Sequence, residues 1–180
     1  MRQWLGILGL CVGSAIAYGI VHDQVTARVC VEYFTVAHPP RFDTDDPTLL
    51  GLGWGIIATW WVGLILSVPL ILAARFGTRP KRSAKSLGRP IVVLLGIMAV
   101  CALAAGLTGY QLASAGTIQL SGPLAEMIPR ERHARLLADL WAHSASYAVG
   151  LLGGLIVVAW VWFSRGRIQP DQIGSDSREA

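Results

Sequence analysis

The side chains best suited to chemistry are histidines and carboxylates that recur in two polar segments of the chain. Asp139 and His143 stand four residues apart, so a helix would place them on one face, one turn from each other. Carboxylate and imidazole groups are common ligands of zinc and related transition-metal ions. The pair therefore suggests a divalent metal site, completed by ligands from elsewhere in the chain.

The earlier polar segment, residues 22–48, offers those ligands. It contains Glu32, and also His22 with His38 as a second combination. The candidate metal ligands are the following histidines and carboxylates of the two segments: His22, Asp23, Glu32, Asp139 and His143. The only cofactor that these residues suggest is a divalent metal, and the sequence assigns no catalytic residue.

Basic residues beside Asp139 give two other interpretations. In a helix, Arg132 and Arg135 would lie on the same face as Asp139 and would repel a cation. An ordinary salt-bridge network, in which Asp139 or Glu32 pairs with Arg135, is therefore favoured over a metal site. A third interpretation is a pocket for an anion or a lipid headgroup, formed by Arg28, Arg132 and Arg135.

The segment 130–146 has the pattern of an amphipathic helix. Its charged and polar residues share one side, and Leu136 and Leu140 lie on the other with His133 among them. We expect the His133 side chain to form a hydrogen bond with the backbone or a headgroup. Such a helix either lies along the membrane surface or extends the apolar stretch that follows it.

Four long stretches without Asp, Glu, Lys, Arg or His must position these polar segments. They cover roughly residues 4–21, 49–74, 91–115 and 146–164. About 20 apolar residues in a helix cross a hydrocarbon core of about 30 Å. Only 14% of the 180 residues are charged, whereas soluble domains carry about 25%. We predict an all-α integral membrane four-helix bundle, one domain over 1–168 with a disordered tail over 169–180.

The distribution of charge predicts an orientation. Six of the 15 basic residues lie in the connection 75–90, and short loops rich in Lys and Arg stay in the cytoplasm. Both termini are then cytoplasmic, and the segments 22–48 and 116–145 face outward. We expect a multi-pass protein of the bacterial inner membrane, with the loop 75–90 against anionic lipids and no nucleic-acid partner.

Small residues predict how the helices associate. Glycine and alanine recur four residues apart in these pairs: Gly9/Gly13, Gly51/Gly55, Ala105/Gly109 and Gly150/Gly154. Small residues let helix backbones approach closely in lipid. We favour the interpretation that these pairs pack helices within the bundle; the alternative is association in a homodimer or with another membrane protein. Pro69 predicts a kink in the second span. We expect the first stretch to be an uncleaved span, with a signal peptide cleaved after residues 14–17 as the alternative.

Two motifs carry a resemblance to other proteins. One reads YGIVHDQVT and EYFT between Tyr18 and Thr35, and the other reads HSASYAVG from His143. These segments are similar to those of a family of small bacterial four-span membrane proteins of uncharacterised activity. In that family an HDQ-[IV]-T…EYFT segment follows the first span and an H-x-x-SY-x-G segment opens the last. The resemblance implies this topology and no particular activity.

The chain departs from that family at residues 36–42, where an aromatic and Lys-rich stretch usually follows EYFT. This departure makes His38 a weaker candidate for a functional role. The resemblance favours the polar residues inside the two motifs: His22, Asp23, Gln24, Glu32 and His143.

Three functions are compatible with this sequence. The first, which we favour, is a structural or accessory membrane protein, not an enzyme, whose outer segments pack on each other or on a partner. The second is a metal-binding protein or enzyme with its site at the outer membrane interface. The third is a small-solute transporter or channel, which ranks last because the four apolar stretches lack the ionisable residues that move charge through a bilayer.

Overall fold

The computed structural model describes residues 1–165, and its regular structure there is entirely helical. Four helical stretches are long and apolar enough to cross a membrane. They are Arg2–Val29, Pro47–Arg75, Ala84–Ser114 and Arg130–Ser164. The prediction of an all-α protein with four spans is therefore confirmed. The predicted tail over 169–180 lies outside the described residues.

Successive spans run in opposite directions. The helices are α1 (Arg2–Val29), α2 (Glu32–Thr35), α3 (Pro47–Ile57), α4 (Trp60–Arg75), α5 (Ala84–Ser114), α6 (Pro123–Met127) and α7 (His133–Ser164), with a 3-10 turn at Arg130–Arg132 before α7. We call the end that holds Met1, the connection 76–83 and Arg165 the basic end. The other end, with the connections 30–46 and 115–132, is the polar end.

Helices α1 and α7 extend beyond the charge-free stretches of the sequence. Helix α1 continues past Val21 to Val29, so His22 and Asp23 lie within a helix and not in a loop. Helix α7 is unbroken from His133 to Ser164, so the polar segment extends the fourth span and does not form a separate surface helix. Both helices are longer than the roughly 20 residues that cross the hydrocarbon core.

The second span is interrupted at a position that the sequence did not predict. Helix α3 ends at Ile57 and α4 begins at Trp60. At the break, the Thr59 hydroxyl donates a hydrogen bond to the Gly55 carbonyl at 2.5 Å. Helix α4 continues through Pro69, where we expected the kink. The interruption therefore lies closer to the polar end than predicted.

Glycines allow α1 and α3 to pack backbone against backbone. A Cβ atom added at Gly55 would lie 2.5 Å from the Ile20 nitrogen and Cα, and one at Gly51 would lie 3.0 Å from the backbone of α1. This pair therefore serves packing within the bundle. Gly9 and Gly13 have open space, with nothing within 4 Å of an added Cβ. Homodimer formation through such a face stays a prediction.

Two apolar clusters close the ends of the bundle. The cluster at the basic end contains Ile7, Cys11, Leu70, Ala73, Ala74, Leu87, Ile91 and Val161. The cluster at the polar end contains Ala27, Cys30, Tyr33, Phe34, Leu50, Ile128 and Leu136. A cavity and a group of buried polar side chains lie between them.

Candidate metal centre

Helices α1 and α7 bring three of the predicted ligands together. His22, Asp23 and His143 each offer a donor atom, and these atoms all lie within 4.8 Å of one another. The His143 Nε2 atom is 3.3 Å from the Asp23 Oδ1 atom. Asp23 is 4% exposed and His143 is 8% exposed. We call these three residues the His–Asp cluster.

The second nitrogen of His143 determines what its Nε2 atom can do. The Nδ1 atom lies 2.9 Å from the Asp139 backbone oxygen, which only accepts, so Nδ1 carries the proton. In the neutral ring Nε2 then presents a lone pair toward the Asp23 carboxylate. Two acceptors at this distance repel each other unless a proton or a metal ion lies between them.

His22 adds another free acceptor or donor beside this pair. Its Nε2 atom is buried and has no hydrogen-bond partner among residues 1–165. The His22 ring stands edge-on to the His143 ring at a centroid distance of 4.5 Å and stacks on Tyr18 at 5.7 Å. A buried polar atom without a partner costs about 1–3 kcal/mol, which a ligand at this position would offset.

The EYFT motif covers the His–Asp cluster. Helix α2 packs against α7, and the Tyr33 ring stacks on the His143 ring at 4.2 Å between centroids. Burial raises the pKa of Tyr33, so its phenol stays neutral. His38 does not join the cluster, because its Nδ1 atom donates to the Tyr33 carbonyl at 2.7 Å. The two motifs of the resemblance are thus in direct contact.

Glu32, a predicted ligand beside Asp139 and His143, lies outside the His–Asp cluster. Its carboxylate forms an ion pair with Arg132 at 3.3 Å and accepts a hydrogen bond from the Cys30 thiol at 3.3 Å. The predicted salt bridge therefore exists, but with Arg132 in place of Arg135. Arg135 is exposed.

Asp139 is next to the cluster but contributes its backbone and not its side chain. It is 1% exposed, and its Oδ2 atom has no hydrogen-bond partner within the described part of the chain. A buried carboxyl oxygen without a hydrogen-bond partner costs free energy unless a proton or a cation satisfies it.

The other predicted contacts are made within the chain. Arg28 donates to the Gln24 side chain and to the Thr48 hydroxyl, both at 2.8 Å. His133 forms the expected backbone hydrogen bond, with its Nε2 atom 2.9 Å from the Ile128 oxygen. The predicted anion pocket of Arg28, Arg132 and Arg135 therefore has two of its arginines already bonded to protein groups.

The sequence prediction missed Tyr18 and Ser146, which lie on the side of the cluster that faces the basic end. The Tyr18 hydroxyl and the Ser146 Oγ atom are 2.8 Å apart, joining α1 to α7. Their spacing carried a signal, since Tyr18 precedes His22 by one helical turn and Ser146 follows His143 by nearly one turn.

A cavity of about 430 Å³ begins at the His–Asp cluster. It runs between α1, α4, α5 and α7 toward the basic end, where Leu70 and Val158 line it. All three members of the cluster are part of its wall, and most other lining residues are apolar. The volume is in the range of small-molecule sites, about 300–1,000 Å³.

One donor pair of the cluster already has the spacing of two ligands around a tetrahedral metal ion. Bonds of about 2.0–2.2 Å place neighbouring donors of a tetrahedron about 3.3–3.6 Å apart. The Asp23 and His143 donors are already at 3.3 Å, and the His22 donor lies within 4.8 Å of both. A metal held by these three residues would keep a fourth position for an exogenous ligand.

Comparison with known proteins adds no assignment. No protein-family model, curated protein or solved structure matches the chain.

Proposed function

We propose that this multi-pass membrane protein binds a divalent transition-metal ion through His22, Asp23 and His143. The observation that carries the proposal is the convergence of the three donor atoms within 4.8 Å, with His143 Nε2 and Asp23 Oδ1 3.3 Å apart in a buried position. The unpartnered Nε2 atom of His22, whose ring adjoins the His143 ring, supports a ligand beside this pair.

The donor set indicates which ions fit. Two imidazoles and one carboxylate hold zinc in many enzymes, and the same set is typical of non-haem iron(II) sites. The hydrogen bond from His143 Nδ1 to the Asp139 carbonyl is the kind of outer contact that fixes the orientation of a metal-bound histidine. Tyr33, stacked on the His143 ring, shields the site from water.

A structural or accessory role is the second candidate function. Helix α2 packs on α7, and the Glu32–Arg132 ion pair fastens it there. A metal bound by residues of α1 and α7 would cross-link these two spans at the polar end and stabilise the bundle. This role and metal binding are compatible with each other.

For the cellular location we propose the bacterial inner membrane with both termini in the cytoplasm. This rests on the six basic residues of the connection 75–90 and on the retention of such loops in the cytoplasm. Arg79 and Arg82 form hydrogen bonds with α7, whereas Lys81, Lys85 and Arg89 are exposed. These exposed cations are the groups that would contact anionic lipid headgroups.

The test is the metal content of the protein purified in mild detergent without a histidine tag. We expect about one equivalent of zinc or iron per chain, reduced at least tenfold in His143→Gln and His22→Gln, since each removes one of three protein ligands. The matched control is His133→Gln, which changes a histidine of the same helix α7 whose Nε2 atom bonds to the Ile128 carbonyl.

The control should keep the metal content of the wild type. Wild-type protein that is free of metal, and that takes up none when zinc is added, would overturn the proposal. Equal metal loss in His133→Gln and His143→Gln would also overturn it, because the loss would then not depend on the cluster.

A further inference from the structure

The cavity below the His–Asp cluster opens toward the lipid. Four of its lining residues are about half exposed, with 46–58% of each residue accessible. They are Trp61 and Ile65 on α4 and Tyr147 and Leu151 on α7. An opening between α4 and α7 at these residues would lie within the apolar part of both spans, where molecules dissolved in the bilayer can enter.

The shape of the cavity suits a single hydrocarbon chain. Along α7 it extends from His143 to Val158, which corresponds to about 22 Å at 1.5 Å per residue. The volume of about 430 Å³ is distributed along this length, so the cavity is elongated, as an extended hydrocarbon chain is.

The polar end of the cavity suits an oxygen-bearing head group. It presents the His–Asp cluster together with the Tyr18 and Ser146 hydroxyls, whereas the rest of the wall is mostly apolar. A metal held by these three protein ligands would leave a position for a further ligand, and a carboxylate or carbonyl oxygen would be suitable there.

We propose that the cavity binds a single-chain amphiphile from the bilayer, of the class of long-chain fatty acids, with its head group at the His–Asp cluster. The chain lies between α4, α5 and α7, and it enters sideways between α4 and α7. The position of the head group rests on the metal site proposed above, whereas the position of the chain depends only on the cavity.

The experiment uses palmitic acid that carries a photoreactive diazirine in its chain. The full-length protein in mild detergent is mixed with this probe, irradiated and digested, and the labelled residues are identified by mass spectrometry. We expect saturable labelling on the cavity faces of α4, α5 and α7. Unlabelled palmitic acid should compete, whereas hexadecane, which lacks a head group, should compete at least tenfold less well.

Two variants block the cavity from opposite walls. Val62→Trp on α4 and Met98→Trp on α5 each place a large ring in the cavity and should reduce labelling at least fivefold. The matched control is Val100→Trp, which adds the same ring to α5 at a residue that is 69% exposed and should not change labelling. Thermal unfolding identifies a variant that does not fold. The labelling of the other cavity variant then decides whether the chain occupies the cavity.

Labelling that does not saturate, or that is equal in the two cavity variants and the control, would overturn this inference. Its failure is distinguishable from failure of the metal site. Metal-free wild-type protein that is still labelled in the cavity leaves the chain position intact, whereas metal-loaded protein without cavity labelling contradicts the inference alone.

Discussion

Gly55 offers the sharpest test of how the bundle is packed. A Cβ atom at this position would lie 2.5 Å from the nitrogen and Cα of Ile20. These are backbone atoms of α1, so they move only if the helix moves. Overpacking of this kind costs about 1–3 kcal/mol, whereas alanine in place of glycine within a helix gains about 0.5–1 kcal/mol.

The chain contains a matched control at Gly13. This residue lies in the same pair of packed spans, is exposed and has nothing within 4 Å of an added Cβ. Gly13→Ala should therefore show only the gain in helix propensity. Because both variants share that gain, the difference between them isolates the packing cost at Gly55, about 1–3 kcal/mol or a 5- to 150-fold change in the unfolding equilibrium.

The assay is reversible unfolding in mixed detergent micelles with increasing dodecyl sulfate, followed by tryptophan fluorescence. Gly55→Ala should be less stable than Gly13→Ala by the stated amount. Size-exclusion chromatography in mild detergent would show whether Gly13→Ala alters an oligomer. Equal stability of the two variants would refute the backbone contact between α1 and α3.

Two further predictions concern the ends of the bundle. Arg165 is fully buried and donates to the carbonyls of Ala73, Phe76, Arg79 and Pro80. Arg165→Lys removes the planar guanidinium group that forms these bonds. Loss of one hydrogen bond to a charged group costs about 1.5–3 kcal/mol, so trypsin should cleave after Lys81 at least tenfold faster. An unchanged cleavage rate would contradict this anchoring role. Burial and the adjacent Glu32 raise the pKa of the Cys30 thiol to about 12. Below pH 9 the thiol therefore stays protonated, and maleimide should label it only after denaturation. Rapid labelling of the native protein would be the contrary result.

The four spans were predictable because the hydrocarbon core excludes charge over a fixed thickness. The helix ends were not, since charged residues are tolerated at the membrane boundary and the backbone stays helical beyond it. Helix α1 therefore runs through His22 and Asp23 to Val29. The first span therefore contains the ionisable residues His22 and Asp23, although the four apolar stretches of the sequence have none.

The site was predictable in part. The spacing of Asp139 and His143 correctly placed both on one face of a helix, whose burial only the structure shows. Spacing alone does not tell which atoms of a residue face a partner. His143 meets α1, while Asp139 contributes its carbonyl to the His143 ring. Glu32 forms an ion pair with Arg132 because α2 packs beside the start of α7. This packing depends on the fold and leaves no local pattern in the sequence.

The most direct test of the metal site is X-ray absorption spectroscopy of the cobalt(II)-loaded protein. The His–Asp cluster predicts a four-coordinate ion with nitrogen and oxygen ligands, two of them imidazoles, since the donor atoms of His22, Asp23 and His143 converge within 4.8 Å. In His22→Gln the fitted number of imidazoles should fall from two to one, and in His133→Gln it should stay at two. A spectrum without imidazole scattering, or one that is unchanged in His22→Gln, would contradict the proposed site.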